Sequence, residues 1–286
     1  MMDQHLVAVI TGASRGIGKG IALALGRRGA TVYVVGRTTV SGTQVSAGGI
    51  PVPGSIHEAA DEVTAAGGRG IAVASDLADD DAIRALFEQV GRESGHVDIL
   101  VNNAASLHDQ MGTRPFWEAP LKLADIIDVG LRCHHVATWH AARLLIAARR
   151  GLIVNISFYG NGRVHDPAYY AAKAGLDKLA SVYAEDFTPY NVAAVSLWPG
   201  YVKTERAEMI VGDATELIEG MGMESPDYCG RVISALWDDP EMMALTGGTL
   251  IAAELGERYG VVDRPGFSPK SLRAFYGAPH PQFDRV

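Results

Sequence analysis

Short runs of apolar, largely β-branched residues recur along this 286-residue chain, and each is followed by a stretch whose apolar residues repeat at helical spacing. The runs read LVAVI (6–10), TVYVV (31–35), GIAVAS (70–75), VDILVNN (97–103), GLIVNIS (151–157) and NVAAVSL (191–197). Helical periodicity covers 17–28, 55–66, 79–94, 119–149 and 168–186. A parallel strand pair needs a long crossover, and here the gaps hold helices, so the pattern predicts an α/β fold with a doubly wound parallel sheet. No internal repeat or linker interrupts it, which predicts a single domain over 1–286. The Gly-, Ser-, Thr- and Pro-rich segment 38–54 is expected as a loop insertion. Segment 204–226, with Met209, Met221 and Met223, reads either as a surface helix or as an adaptable lid over a substrate, and 261–286 as a tail on the surface or on a neighbouring subunit.

Composition excludes several kinds of partner. With 48% hydrophobic residues the chain can bury a sizeable core, and its net charge of −8 has the wrong sign for nucleic acid or an anionic membrane. The apolar run at 6–10 lacks a basic flank and is too short for a signal peptide or a membrane span, and the run at 142–150 carries arginines. Cys133 and Cys229 lie far apart, as in a reduced compartment, so a cytoplasmic protein is expected. His134, His135 and His140 lack the i, i+4 spacing of a helical zinc site, and HEAAD (57–61) has no second histidine; no metal is expected.

TGASRGIG (11–18) lies between the first strand and the first helix. Gly12 permits a tight turn, Gly16 lets backbone approach a pyrophosphate, and Gly18 allows helix and sheet to pack closely, while the helix N-terminus faces the anion. The spacing is GxxxGxG, and in a βαβ setting it predicts dinucleotide binding. A carboxylate ending the second strand would bind a ribose 2′-hydroxyl, but YVVGRT ends in Gly36 and Arg37, and Arg15 sits in the glycine loop. Two guanidinium forks suit a 2′-phosphate, which predicts NADP(H) over NAD(H).

DPAYYAAK (166–173) places Tyr169 and Lys173 four residues apart, on one face of a helix. A phenol with an ordinary pKa of about 10 exchanges protons poorly near neutrality, and an ammonium one turn away favours the phenolate, so Tyr169 is a candidate acid–base. Asn155 and Ser157 share a face at the carboxyl end of the preceding strand, where open α/β sheets bind ligands. From there Ser157 could hold a substrate oxygen.

These motifs, in this order, resemble the short-chain dehydrogenase/reductase family across nearly the whole chain, which implies a Rossmann-type fold. TGASRGIG is similar to the family's cofactor loop, in which Gly12, Ser14, Arg15, Gly16, Ile17 and Gly18 take part. SDL (75–77) resembles the adenine contact through Asp76 and Leu77, and NNAA (102–105) the NNAG motif with Asn103 and Ala104. PGYVKT (199–204) resembles the contact to the nicotinamide half through Pro199, Gly200, Val202 and Thr204. The resemblance implies that Tyr169 is the acid–base, that Lys173 holds ribose hydroxyls and lowers the tyrosine's pKa, and that Ser157 orients a carbonyl. It further implies a small carbonyl or alcohol substrate, hydride transfer with the nicotinamide, and a homodimer or homotetramer built on the helices at 119–149 and 168–186.

The chain departs from the family pattern at a few positions. Gly130 replaces an asparagine that anchors a water linking the lysine to solvent; close packing, or a backbone carbonyl left to hold the water, is what such a glycine would serve. Ser157 lies twelve residues before Tyr169 where the family spacing is about thirteen, Phe158 takes the other candidate place, and Asn155 or Asn161 could share the duty. Ala105 replaces the last glycine of NNAG, adding a methyl beside the cofactor. Gly130 and the shifted serine motivate an alternative, a dinucleotide-binding sensor or structural protein without turnover.

Overall fold

The computed structural model describes residues 5–45, 51–107, 111, 115–159, 166–211 and 222–285. A seven-stranded sheet forms its centre, built from β1 (Val7–Thr11), β2 (Thr31–Gly36), β5 (Arg69–Ala74), β6 (Ile99–Asn102), β7 (Gly151–Ile156), β8 (Val192–Trp198) and β9 (Thr249–Ile251). The order is β5-β2-β1-β6-β7-β8-β9, and every neighbouring pair is parallel. The chain thus winds outward one way from β1 and then the other way from β6, so the order reverses between β1 and β6. In open sheets that crevice is where ligands bind.

Alternation within the strands feeds two cores. Ala8, Ile10, Val32 and Val34 face α1 (Gly16–Gly26), α2 (Ile56–Ala65) and α8 (Tyr228–Asp238). Val7, Val9, Tyr33 and Val35 face α3 (Asp80–Glu93), α5 (Cys133–Ala148) and the end of α6 (Pro167–Phe187). The central strands are buried on both faces, as a parallel sheet covered by helices requires.

Some expectations are amended. The periodic stretch 119–149 is not one helix: a 3₁₀ turn (Leu121–Ala124) leads into α4 (Asp125–Ile127), a π-helical turn (Asp128–Arg132) and then α5. β9 was not anticipated, because three residues after the Gly247–Gly248 pair are too few to show a period. Within 38–54, β3 (Gln44–Val45) and β4 (Pro51–Val52) pair antiparallel. The tail covers its own subunit: Phe283 O accepts from Thr249 N at 2.7 Å, and Arg273 in α10 (Arg273–Tyr276) joins Glu254 of α9 (Ala252–Tyr259) to Asp284. This shields the edge of β9.

Helices α1 and α8 cross at glycines. A Cβ on Gly20 would lie 2.0 Å from Pro226 O, and one on Gly230 would lie 2.7 Å from Ile21 Cα. Gly91 in α3 is different, since its Cβ would meet only Leu144 Cδ2, at 3.6 Å. Gly20→Ala is therefore expected to destabilise the fold by roughly 1–3 kcal/mol or more. Gly91→Ala is expected to stabilise it by roughly 0.5–1 kcal/mol. Urea unfolding of the two variants checks both signs.

Candidate active site

At the reversal point the ends of β1 and β6 are cross-linked. Thr11 Oγ1 donates to Val101 O (3.2 Å) and accepts from the N–H groups of Asn103 (2.9 Å) and Ala104 (3.1 Å). Asn103 Nδ2 donates to the carbonyls of Thr11 and Gly12. The glycine loop is thus held from both sides. Gly12 has φ +66°, and a Cβ there would come within 2.7 Å of Ala104 Cα, so both its conformation and its space require glycine. Gly18 packs against Asn103 Nδ2 and Gly12 O, just beyond the ends of β6 and β1.

The N-terminus of α1 is prepared for an anion. Arg15 occupies the cap position without a capping side chain, and the first turn holds no acidic residue. The Gly16 N–H donates instead to Glu205 Oε2 at 2.8 Å, from the start of α7 (Glu205–Val211). A carboxylate on this N–H shows that the donor accepts an anionic oxygen, which fits the phosphates of a dinucleotide. Thr204 Cγ2 lies opposite Gly16, which brings the 199–204 loop to the glycine loop. Ser14 is buried, and Ile17 packs on the core beneath.

The two arginines part company. Arg37, at the end of β2, is exposed and lies 3.8 Å from Asp76. Arg15 sends its three guanidinium nitrogens to Pro53 O, Gln44 Oε1 and Gly54 O, so it fastens the β3–β4 segment. Burial lowers its pKa. Asp76 Oδ1 accepts from Ala78 N, and the Leu77 side chain lies in the core.

Tyr169 and Lys173 stand on one face of α6, with Lys173 Nζ 5.6 Å from the phenol ring centroid. The ammonium donates to Ile156 O at 2.8 Å, at the end of β7. Burial brings Lys173 down to about 8, opposed by Asp177. The expected depression of the phenol does not occur: burial, and then Tyr170, push Tyr169 above its ordinary value. Desolvation outweighs an ammonium whose hydrogen bond goes to a backbone carbonyl.

Ser157 is turned toward α6. Its hydroxyl donates to Lys173 O at 2.9 Å, buried in the joint between β7 and α6, and so faces the helix instead of a substrate. Asn155 is committed as well, accepting from Asn102 and donating to Leu176 O. The ring of Phe158 lies beside Tyr169, with centroids 6.4 Å apart. Asn161 lies outside the described residues, as does 212–221 of the expected lid. Gly130 falls in the π-helical turn, and a Cβ there would meet Ala172 and Ile126 only at ordinary contact, 3.6 and 3.8 Å. Packing does not demand the glycine; a turn with altered carbonyl partners is what remains of the two explanations.

His134, Asp177 and Glu224 are buried ionisable groups to which the sequence assigned no role in the site. His134, whose Nε2 is 2.9 Å from Ala104 O, is brought down to about 3 by burial and then by the charge of Lys173. Asp177 lies one turn beyond Lys173 on α6. Glu224 pairs with the 199–204 segment through its backbone: its N–H donates to Tyr201 O and its carbonyl accepts from Lys203 N. Its carboxyl faces Gly200 and accepts from Cys229 Sγ, and Pro199 is buried nearby in sequence. Only the i, i+4 spacing of Lys173 and Asp177 carried a signal in the sequence.

Burial raises Glu224 to about 8 from an ordinary 4.5. The folded protein then holds this proton where the unfolded chain has lost it, so the contribution to stability is full below about 4.5 and is lost as pH rises through about 8. Glu224→Gln removes that dependence. The Tm of the variant, measured from pH 5 to 9, is expected to gain on the wild type as pH rises.

Comparison with known proteins agrees with this geometry. The family model for short chain dehydrogenase matches residues 6–214. Mouse dehydrogenase/reductase SDR family member 1 is 38% identical over 275 residues, covering 91% of this chain and 83% of that protein. A crystal structure described as a putative dehydrogenase from Xanthomonas campestris superposes with a TM-score of 0.76 at 28% identity, covering 98% of this chain and 96% of the other. A metagenomic short-chain oxidoreductase solved in complex with NADP gives a TM-score of 0.64 at 30% identity, covering 82% and 92%. With the glycine loop at the reversal point and the tyrosine and lysine on the helix facing it, the chain belongs to the short-chain dehydrogenase/reductase family of oxidoreductases.

Proposed function

We propose that this protein interconverts a carbonyl compound and its alcohol with NADP(H), Tyr169 serving as the proton donor and acceptor. The observation that carries this reading is the pair Tyr169 and Lys173 on one face of α6, next to the ends of β7 and β6. The loop 12–18, Asn103, Ala104 and the 199–204 segment would cradle the dinucleotide, Asp76 and Leu77 would meet the adenine, and Lys173 the ribose. When bound, the nicotinamide supplies or accepts the hydride. A phenol that keeps its proton at neutral pH can give it to an alkoxide as that charge develops. Lys173 opposes the cost of the phenolate left behind. Ser157 acts through the backbone of Lys173, as a positioning residue.

The preference for NADP(H) rests on Arg37, because Arg15 is engaged elsewhere. A bound pyrophosphate and the Glu205 carboxylate compete for the Gly16 N–H, so binding is expected to move Glu205 aside. Exposed Trp139 on α5 and Val182 on α6 support a homodimer or homotetramer through these helices. The inward-facing serine favours a second reading, dinucleotide binding without turnover.

Two measurements test the proposal. Oxidation of NADPH against ketones, aldehydes, quinones and steroids is expected to show turnover that Tyr169→Phe lowers by roughly 100- to 10,000-fold. NADPH binding without turnover of any of these would favour the second reading. Arg37→Gln is expected to weaken NADPH binding by roughly 10- to 100-fold and to leave NADH binding nearly unchanged, as read by calorimetry.

A further inference from the structure

Asp177 is 8% exposed, and a buried carboxylate is costly unless it is compensated. Its Oδ1 accepts from Ser196 Oγ at 2.5 Å and from Trp198 Nε1 at 3.0 Å, both on β8. These donors are neutral and balance no charge. One turn earlier on the same helix, Lys173 is equally buried, and its ammonium rests on a neutral carbonyl. The two opposite charges therefore form a net-neutral unit inside the protein, each hydrogen-bonded to neutral groups and each sensing the other. Other ionisable groups facing the pair are Tyr169 on α6 and His134 on α5, and burial keeps both uncharged at neutral pH.

We propose that Asp177 is a positioning residue for the reaction: as the counter-charge of Lys173 it keeps that ammonium protonated beside Tyr169. The inference rests on the role assigned to Lys173 above. Asp177 touches neither the reacting atoms nor the cofactor loop, and it acts only through the lysine. Ser196 and Trp198 anchor it to the strand that runs into the 199–204 segment, so the charge of the lysine is tied to the joint of α6 and β8.

The test is the titration of Lys173, followed by NMR of protein carrying carbon-labelled lysine, with Lys173→Arg identifying the resonance. In Asp177→Asn, an amide of the same shape, Lys173 is expected to lose its proton roughly one pH unit lower. The alkaline limb of the kcat/KM profile is expected to move down with it. A role confined to packing would change Tm without moving the titration, and an unmoved Lys173 in folded Asp177→Asn overturns the proposal. Should that variant fail to fold, Ser196→Ala and Trp198→Phe each remove one donor and weaken the carboxylate's charge. Both are expected to shift Lys173 in the same direction by less, and no shift in either overturns it. The titration needs no turnover, so its outcome is separate from that of Tyr169→Phe.

Discussion

The cross-link between the ends of β1 and β6 is the constraint from which the site follows. Thr11 Oγ1 holds the turn of β6 through two N–H groups, and Asn103 returns its amide to the backbone of the glycine loop. Because the sheet order reverses there, no crossover helix covers the crevice, and its two walls would otherwise be free to separate. The clamp fixes the glycine loop against the end of β6. Gly12 must be small for this reason, since Ala104 presses against it.

Desolvation is the dominant force on the chemistry. Tyr169, Lys173, His134, Asp177 and Glu224 are each displaced from their ordinary titration chiefly by burial, every one toward its neutral form. A site in this condition holds protons in well-defined places and strengthens whatever charge forms within it. It also makes the surrounding hydrogen bonds matter. Asn102, Thr138 and Asn155 are joined by hydrogen bonds beneath the site, although Asn102 Oδ1 is left without a partner among the described residues, and Ser157 ties the end of β7 to the lysine's turn. These polar side chains form the floor on which α6 is seated.

The peripheral segments serve the same scaffold. Arg15 spends its donors on the small β3–β4 sheet, and the tail brings Tyr276 to a hydrogen bond with Tyr201 and to the rings of Phe158 and Tyr159. An aromatic wall thus stands beside Tyr169, assembled from β7's exit, the 199–204 segment and a helix more than a hundred residues further along the chain.

Much of this was legible in the sequence. The alternation of β-branched runs with helical periods determined six of the seven strands of the parallel sheet, since those strands are long enough to read as apolar runs and the gaps between them long enough for crossovers, whereas β9 is too short. The glycine loop and the Tyr169–Lys173 spacing were equally plain, because contacts within one turn or one helix are local. What the chain could not disclose alone were pairings across the fold. That Arg15 is engaged while Arg37 is exposed, that Ser157 turns inward, and that burial overrides the ammonium beside Tyr169 all depend on which surfaces meet. The same holds for Asp177 between Ser196 and Trp198, and for Glu224 against Gly200. Local sequence sets backbone preference and side-chain spacing, but desolvation and hydrogen-bond partners are properties of the packed molecule, so only the tertiary structure decided them.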